Sequence, residues 1–97
     1  MNHPTVTDPD KYKVVFENDR VRVIEFHDTP GEKTKIHTHP QSVLIAINSY
    51  NRRLFVDEQS TETSGEPGFV RWLDPVTHSG ENIGDNPNHF IFVEIKD

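Results

Sequence analysis

Residues 31–47, GEKTKIHTHPQSVLIAI, decide the fold of this chain. Two histidines in this segment, His37 and His39, stand two positions apart and lead into a run of five apolar residues. Side chains two apart on an extended strand point to the same side, about 6.6 Å from each other, so both imidazoles can approach one small cation. A third histidine, His78, comes 39 positions after His39 in residues 68–82, a segment punctuated by glycine and proline. Two close histidines and one distant histidine predict a pocket between strands.

Turn-forming residues interrupt the chain about every eight to twelve residues. The segments between the turns are short, rich in Val, Ile, Phe and Thr, and several of them alternate apolar and polar residues. No segment has the long one-sided apolar stripe of a helix. The pattern therefore predicts an all-β sandwich or barrel. The candidate strands are residues 13–16, 21–27, 35–39, 42–48, 53–57, 62–64, 69–73, 78–82 and 89–95.

The length of 97 residues corresponds to one domain near the small end of what can bury a core. Two prolines and several polar residues at the start of the chain predict a flexible N-terminal arm over residues 1–12. Residues 13–97 are expected to form a single barrel domain.

The chain has no cysteine, which excludes disulfides, thiolate zinc sites and cysteine nucleophiles. Any metal must therefore be held by nitrogen and oxygen. The 16 acidic and 10 basic residues give a net charge of −6, and the basic residues do not cluster, so nucleic acid and anionic membranes are poor partners. Residues 1–20 lack a signal-peptide pattern, and the apolar run at 43–47 is too short to span a membrane. We expect a soluble cytoplasmic protein.

Three neutral imidazoles suit a divalent first-row metal, such as Fe, Mn, Ni, Cu or Zn. Three protein ligands leave positions open for water or a substrate, which distinguishes a catalytic metal site from a closed structural one. The alternative from spacing alone is that His37 and His39 are polar residues near a turn and His78 is a loop histidine.

Two segments of the chain resemble the paired motifs of the cupin superfamily. Residues 31–39 supply glycine, five residues and His-x-His, and residues 68–82 supply a glycine followed by Pro75, His78 and Asn82. The resemblance covers nearly the whole chain and is closest to the minimal single-domain bacterial cupins. It implies a small antiparallel jelly-roll barrel, also called a double-stranded β-helix, with its pocket at the mouth.

The resemblance implies that His37, His39 and His78 are the metal ligands. The glutamate of the first cupin motif has no counterpart, because Val43 and Leu44 occupy the positions where it would stand. Some cupin dioxygenases hold iron with three histidines only, so the resemblance allows this variant. The turn that begins at Pro75 is also shorter than usual and lacks the glycine of the family.

Several other polar residues are weaker candidates. Gln41 could offer an amide oxygen to the metal but is expected to line the pocket. Arg71 stands in an apolar strand and is expected to point outward to an acidic neighbour, with a buried anionic partner as the alternative. For the remaining histidines, His3, His27 and His89, a solvated or hydrogen-bonded role is favoured over metal binding. Glu25 shares a strand face with Val21, Val23 and His27, so it is an interface or pocket candidate.

Three function hypotheses remain open from the sequence. The first is a small metal-binding cupin, with a three-histidine dioxygenase-like activity on a small oxygenated molecule such as a keto acid or diketone. The second uses the histidines without metal as acid and base catalysts of an isomerisation or dehydration. The third is a non-catalytic ligand-binding module.

Apolar strand residues near the N-terminus exceed what one small barrel needs, which predicts a homodimer. The cupin resemblance implies the same association. The residues concerned are Tyr12, Val14, Val15, Phe16, Val21 and Val23.

Overall fold

The short apolar segments form strands in the computed structural model, which describes residues 2–96. One four-residue helix, α1 (Pro4–Thr7), precedes them. The nine strands of the described chain are β1 (Tyr12–Glu17), β2 (Val21–Asp28), β3 (His37–His39), β4 (Ser42–Ala46), β5 (Tyr50–Val56), β6 (Gln59–Gly65), β7 (Val70–Leu73), β8 (Val76–Asn82) and β9 (Asn88–Ile95).

The strands form two antiparallel sheets that pack into a jelly-roll barrel. The first sheet has the order β1-β2-β9-β4-β7, and the second has the order β3-β8-β5-β6. The prediction of an all-β antiparallel barrel is confirmed. Each of the nine candidate strands corresponds to an observed strand, with differences at the ends. The largest are at β5 and β6, which each begin three residues earlier than expected, because the hairpin pairs Tyr50 with Gly65 and Val56 with Gln59.

The hydrophobic core lies on the inner face of the first sheet. Ile24 and Phe26 of β2 pair with Phe92 and Phe90 of β9, and all four side chains are buried. Tyr12 of β1 is also buried, with its ring centroid 4.6 Å from that of Phe26. Burying each large side chain contributes about 1.5–3 kcal/mol to folding. The alternation of β2 and β9 therefore fixes which face of the first sheet turns toward the second.

The N-terminal segment contacts the barrel at several points. The Asn2 carbonyl accepts a hydrogen bond from the Thr38 amide. His3 Nε2 hydrogen-bonds the buried Glu94 carboxylate, which also accepts from Arg22 Nε. Asp8 is 5% exposed and accepts from the Lys35 amide at 3.1 Å. The flexibility expected for residues 1–12 stays a prediction, but the described part of this segment is docked on strand β3 and its neighbours.

None of the helices in residues 2–96 has the length and apolar character needed to cross a membrane.

Candidate metal centre

The strand pair β3–β8 brings the three predicted histidines together. His37 lies opposite His78 in the antiparallel register, and His39 is two positions further on β3, so all three side chains share the inner face. The intervening Thr38 lies opposite Thr77 on the other face, where their hydroxyls hydrogen-bond at 2.9 Å. Side chains alternate between the two faces of strand β3, as the His-x-His sequence predicted, and this alternation orients the imidazoles toward the inside of the barrel.

The three rings form a nearly equilateral group. Their centroids lie 4.7, 5.0 and 5.1 Å apart, and the ring planes are inclined by 83–90°. With a metal–nitrogen bond of about 2.1 Å and roughly 1.1 Å from nitrogen to ring centre, imidazoles on one metal would have centroids about 4.5 Å apart at right angles and about 5.2 Å apart at tetrahedral angles. The observed separations fall between these limits. One ligand nitrogen from each histidine lies within 4.8 Å of the others.

The nitrogens of His37 and His39 are buried without hydrogen-bond partners. Both residues are 1% exposed, and neither Nδ1 nor Nε2 of either ring has a hydrogen-bond partner among residues 2–96. A buried polar group left unpaired costs about 1–3 kcal/mol. Native structures satisfy nearly all such groups, and a metal ion can pair with one nitrogen of each ring, so these buried nitrogens favour a bound cation at this place. The residues present therefore fit a divalent transition metal.

Burial keeps the three histidines in the neutral form that can coordinate. Desolvation lowers the pKa of His39 well below its usual value, and the neighbouring histidines lower it further. Desolvation also lowers the pKa of His78 to about 4, with smaller contributions from His37 and Arg52. The pKa of His37 is lowered by desolvation as well, although the Asp8 carboxylate opposes this. All three imidazoles are thus unprotonated at neutral pH.

A cavity of about 60 Å³ adjoins the histidines. This volume has room for roughly four to six water molecules. Its wall is mainly apolar, and Phe92 stacks on His39 with centroids 4.9 Å apart. Two arginines, Arg52 and Arg71, also line it. The expectation that Arg71 points outward is wrong, because the register with Leu44 of β4 turns Arg71 toward the inner face.

Asp8 is a site residue that the sequence interpretation missed. Its Oδ2 lies 3.9 Å from Nδ1 of His37. Hydrogen bonds from Thr7 Oγ1 and the Lys35 amide hold this carboxylate in place. No local signal pointed to it, because Asp8 lies in the segment predicted as an arm and approaches His37 only through tertiary packing. Asp8 places a carboxylate beside the His37-x-His39 motif, which lacks the glutamate of the first cupin motif.

The positions that would carry the missing glutamate, and Gln41, offer no metal ligand to this cavity. Val43 faces the outer side of the first sheet, opposite Val93, and Leu44 lines the cavity with an apolar side chain. Gln41 lies in a separate shallow hollow that includes His3 and His39. Gln41 is not among the described residues that line the histidine cavity, and its expected contribution to the pocket stays a prediction.

A second cluster forms on the outer face of the first sheet. Glu25 Oε2 lies 2.7 Å from His89 Nε2 and 3.4 Å from His27 Nε2. The two imidazoles stack with centroids 4.0 Å apart. These three side chains are the Glu25 and histidine candidates of the sequence, brought together because His27 pairs with His89 across β2 and β9.

Comparison with known proteins shows which solved structures share this architecture. No protein-family model matches the chain, and no curated protein is significantly similar to it in sequence. Solved structures do match. A cupin domain from Bordetella pertussis Tohama I is 27% identical, with a TM-score of 0.82 over 89% of this chain and 92% of that one. A double-stranded β-helix protein from Klebsiella pneumoniae is 25% identical, with a TM-score of 0.66 over 84% and 71% of the two chains. An RmlC-like cupin from Methanocaldococcus jannaschii shares 17% identity and a TM-score of 0.70 over 87% and 77%.

The fold and these likenesses define a double-stranded β-helix protein with a histidine-lined cavity. Within that class the chain has the fold of the small, single-barrel cupins, as the similarity to the Bordetella pertussis cupin domain shows.

Proposed function

We propose that this cupin binds a divalent transition metal through His37, His39 and His78, and that the open metal positions take a small oxygenated organic ligand. The observation that carries the proposal is that the ring nitrogens of His37 and His39 are buried without a hydrogen-bond partner in residues 2–96, which leaves one nitrogen of each ring available to a metal. The centroid separations of 4.7–5.1 Å support it independently.

The chain's own residues prepare the site for such a ligand. Strands β3 and β8 hold the imidazoles in their neutral form, and Tyr12 and Phe92 pack against them and limit access by water. Burial raises the pKa of Tyr12, so its hydroxyl stays protonated beside the cavity. A bound metal would supply Lewis acidity toward ligand oxygens and, if it is iron, a centre for dioxygenase-like chemistry.

Acid–base catalysis without metal has less support. A general base works best with a pKa near the working pH. The pKa of His78 is lowered to about 4, which makes this imidazole a weak base at neutral pH. The small cavity also suits a compact ligand better than a sugar-sized substrate.

The test is the metal content of untagged protein purified without chelator. Wild-type protein should carry about one equivalent per chain at the central site, or take it up on titration, and His39→Ala should abolish that uptake because two imidazoles hold a divalent ion poorly. The matched control is His27→Ala, which removes a histidine on the outer face and should leave the central equivalent in place. Circular dichroism should show that both variants fold.

Wild-type protein that stays metal-free under saturating iron, manganese, nickel, copper and zinc would refute the metal proposal. Retention of the central equivalent by His39→Ala would refute the assignment of the ligands. A metal-free wild type would leave the acid–base enzyme and the non-catalytic binding module as the competing functions.

A further inference from the structure

The charge of the cavity is opposite to that of the chain. The chain carries 16 acidic and 10 basic residues, yet the described residues that line the cavity include two arginines and no Asp or Glu. Asp8 lies behind His37, outside this lining. An excess of positive charge in a small, mostly apolar cavity favours an anionic ligand.

Arg52 is a buried cation with unused hydrogen-bond donors. It is 5% exposed, and its Nη1 donates to Asp28 Oδ2 at 2.7 Å and to Asn88 Oδ1 at 2.9 Å. Its Cζ also lies 4.9 Å from the centre of the Phe26 ring. The Nε and Nη2 groups donate no hydrogen bond to any residue of the described chain. The guanidinium is therefore held in one orientation with donors left over.

Gly80 brings these unused donors next to the histidines. A Cβ atom on Gly80 would lie 3.0 Å from Arg52 Nη2, so glycine leaves the space that the guanidinium occupies. His78 is two residues from Gly80 on the same face of β8, a separation of about 7 Å along the strand. A ligand of a few atoms can span from the histidine group to Arg52.

Arg71 supplies a second positive charge at the same cavity. It is exposed and makes no ion pair or hydrogen bond with any other residue between 2 and 96. The charge of Arg52 is offset by Asp28, whereas the charge of Arg71 has no such offset. Arg71 is thus the group best able to attract and hold an anion from solvent.

From these placements we propose that the cavity binds a small carboxylate, such as a short 2-oxo or 2-hydroxy acid, with the carboxylate held by Arg52 and Arg71. The carbonyl or hydroxyl oxygen would face the histidine group, and this half of the inference rests on the proposed metal function. The carboxylate half depends only on the arginines. Of the keto acid and the neutral diketone left open by the sequence, the cavity selects the acid.

The experiment compares two probes of the same size that differ in charge. Pyruvate and its neutral amide, pyruvamide, have the same number of non-hydrogen atoms and the same keto group, but only pyruvate is an anion. Binding of each is followed by ¹H–¹⁵N NMR titration of the protein, both metal-free and loaded with redox-inert zinc. Pyruvate should bind about ten- to a hundredfold more tightly than pyruvamide, as expected for hydrogen bonds to a charged group.

Variants assign the preference to the arginines. Arg71→Gln should weaken pyruvate binding by about tenfold or more without changing pyruvamide binding, and Arg71→Lys should restore part of the pyruvate affinity. Arg52→Lys keeps a cation beside Asp28 but removes the planar fork, so it should weaken pyruvate binding while the protein still folds. The matched control is Arg53→Gln, because Arg53 pairs with Glu62 away from the cavity.

The outcomes separate this inference from the proposed function. Equal affinities for the two probes, or no effect of Arg71→Gln and Arg52→Lys, would overturn the carboxylate site even if zinc binds at the histidines. A preference for pyruvate in a protein that takes up no metal would support the carboxylate site and refute the metal proposal.

Discussion

Replacing His39 by leucine should stabilise the metal-free protein. His39 is 1% exposed, its two ring nitrogens have no partner, and its ring stacks on Phe92. An apolar side chain of similar size removes a buried N–H donor and a buried acceptor but keeps most of the packing. Each unpaired buried polar group costs about 1–3 kcal/mol, and imperfect packing of leucine offsets part of that gain. We therefore expect His39→Leu to raise the free energy of unfolding in chelator by about 1–2 kcal/mol.

The measurement is urea unfolding followed by circular dichroism, with and without metal. In a protein of this size, 1 kcal/mol corresponds to about 4–8 °C in melting temperature, so the change is easily resolved. Zinc at a hundredfold excess over its dissociation constant should stabilise wild-type protein by about 2.7 kcal/mol and leave His39→Leu unchanged. The difference in free energy of unfolding between His39→Leu and wild-type protein should therefore become smaller or change sign when metal is added.

The control is His27→Leu, whose histidine side chain is 59% exposed. This change should shift stability by less than about 0.5 kcal/mol. A loss of more than 2 kcal/mol for His39→Leu in chelator would contradict the reasoning, since it would mean that the His39 imidazole is well satisfied without metal.

Three further predictions concern charge and association. Asp8→Asn should weaken metal binding by about tenfold or more, because the Asp8 carboxylate lies beside Nδ1 of His37 and supports this histidine as a metal ligand. Asp10→Asn removes an exposed carboxylate and should leave metal binding unchanged. Isothermal titration with zinc checks both variants. The metal-free protein should lose stability as the pH falls below about 6.5, because the unfolded chain binds protons that the folded pocket excludes. The loss should be up to about 1.4 kcal/mol per pH unit for each of the three buried histidines. Urea unfolding from pH 7 to pH 4 should show a smaller loss of stability in His39→Leu than in wild-type protein. The protein should sediment as a dimer at micromolar concentration. Phe16→Glu or Trp72→Glu, each on the outer face of the first sheet, should yield the 11.2 kDa monomer. Wild-type protein that sediments as a monomer would rule out this association.

The acid sensitivity of metal binding is expected to lie lower than the ordinary histidine range. The sequence alone suggests loss of metal near pH 6.5, the unperturbed pKa of histidine. Burial lowers the pKa values of all three ligands, and that of His78 to about 4. Proton competition should therefore become important only well below pH 6.5, and a half-loss of zinc at or above that pH would contradict the burial argument.

Local sequence determined the strands and the three-histidine group. The alternation of β2 and β9 has a period of two, which specifies both the strand and its buried face without reference to any other segment. The same periodicity places His37 and His39 on one side, and the strength of the paired motifs extended the group to His78. The strands and the His37–His39 pair follow from backbone geometry over a few residues, whereas the assignment of His78 came from the resemblance to the second cupin motif.

Only the tertiary structure decided what surrounds the histidines. Asp8 reaches His37 because the N-terminal segment docks on β3, and Arg52 reaches the cavity because β5 pairs with β8 in a register that puts Gly80 beneath its guanidinium. Arg71 faces inward because of its pairing with Leu44. A shift of one residue in any of these registers would turn the side chain to the opposite face. Pairing between strands far apart in the chain is set by the packing of the whole barrel, so the charge of the pocket could not be obtained from local sequence.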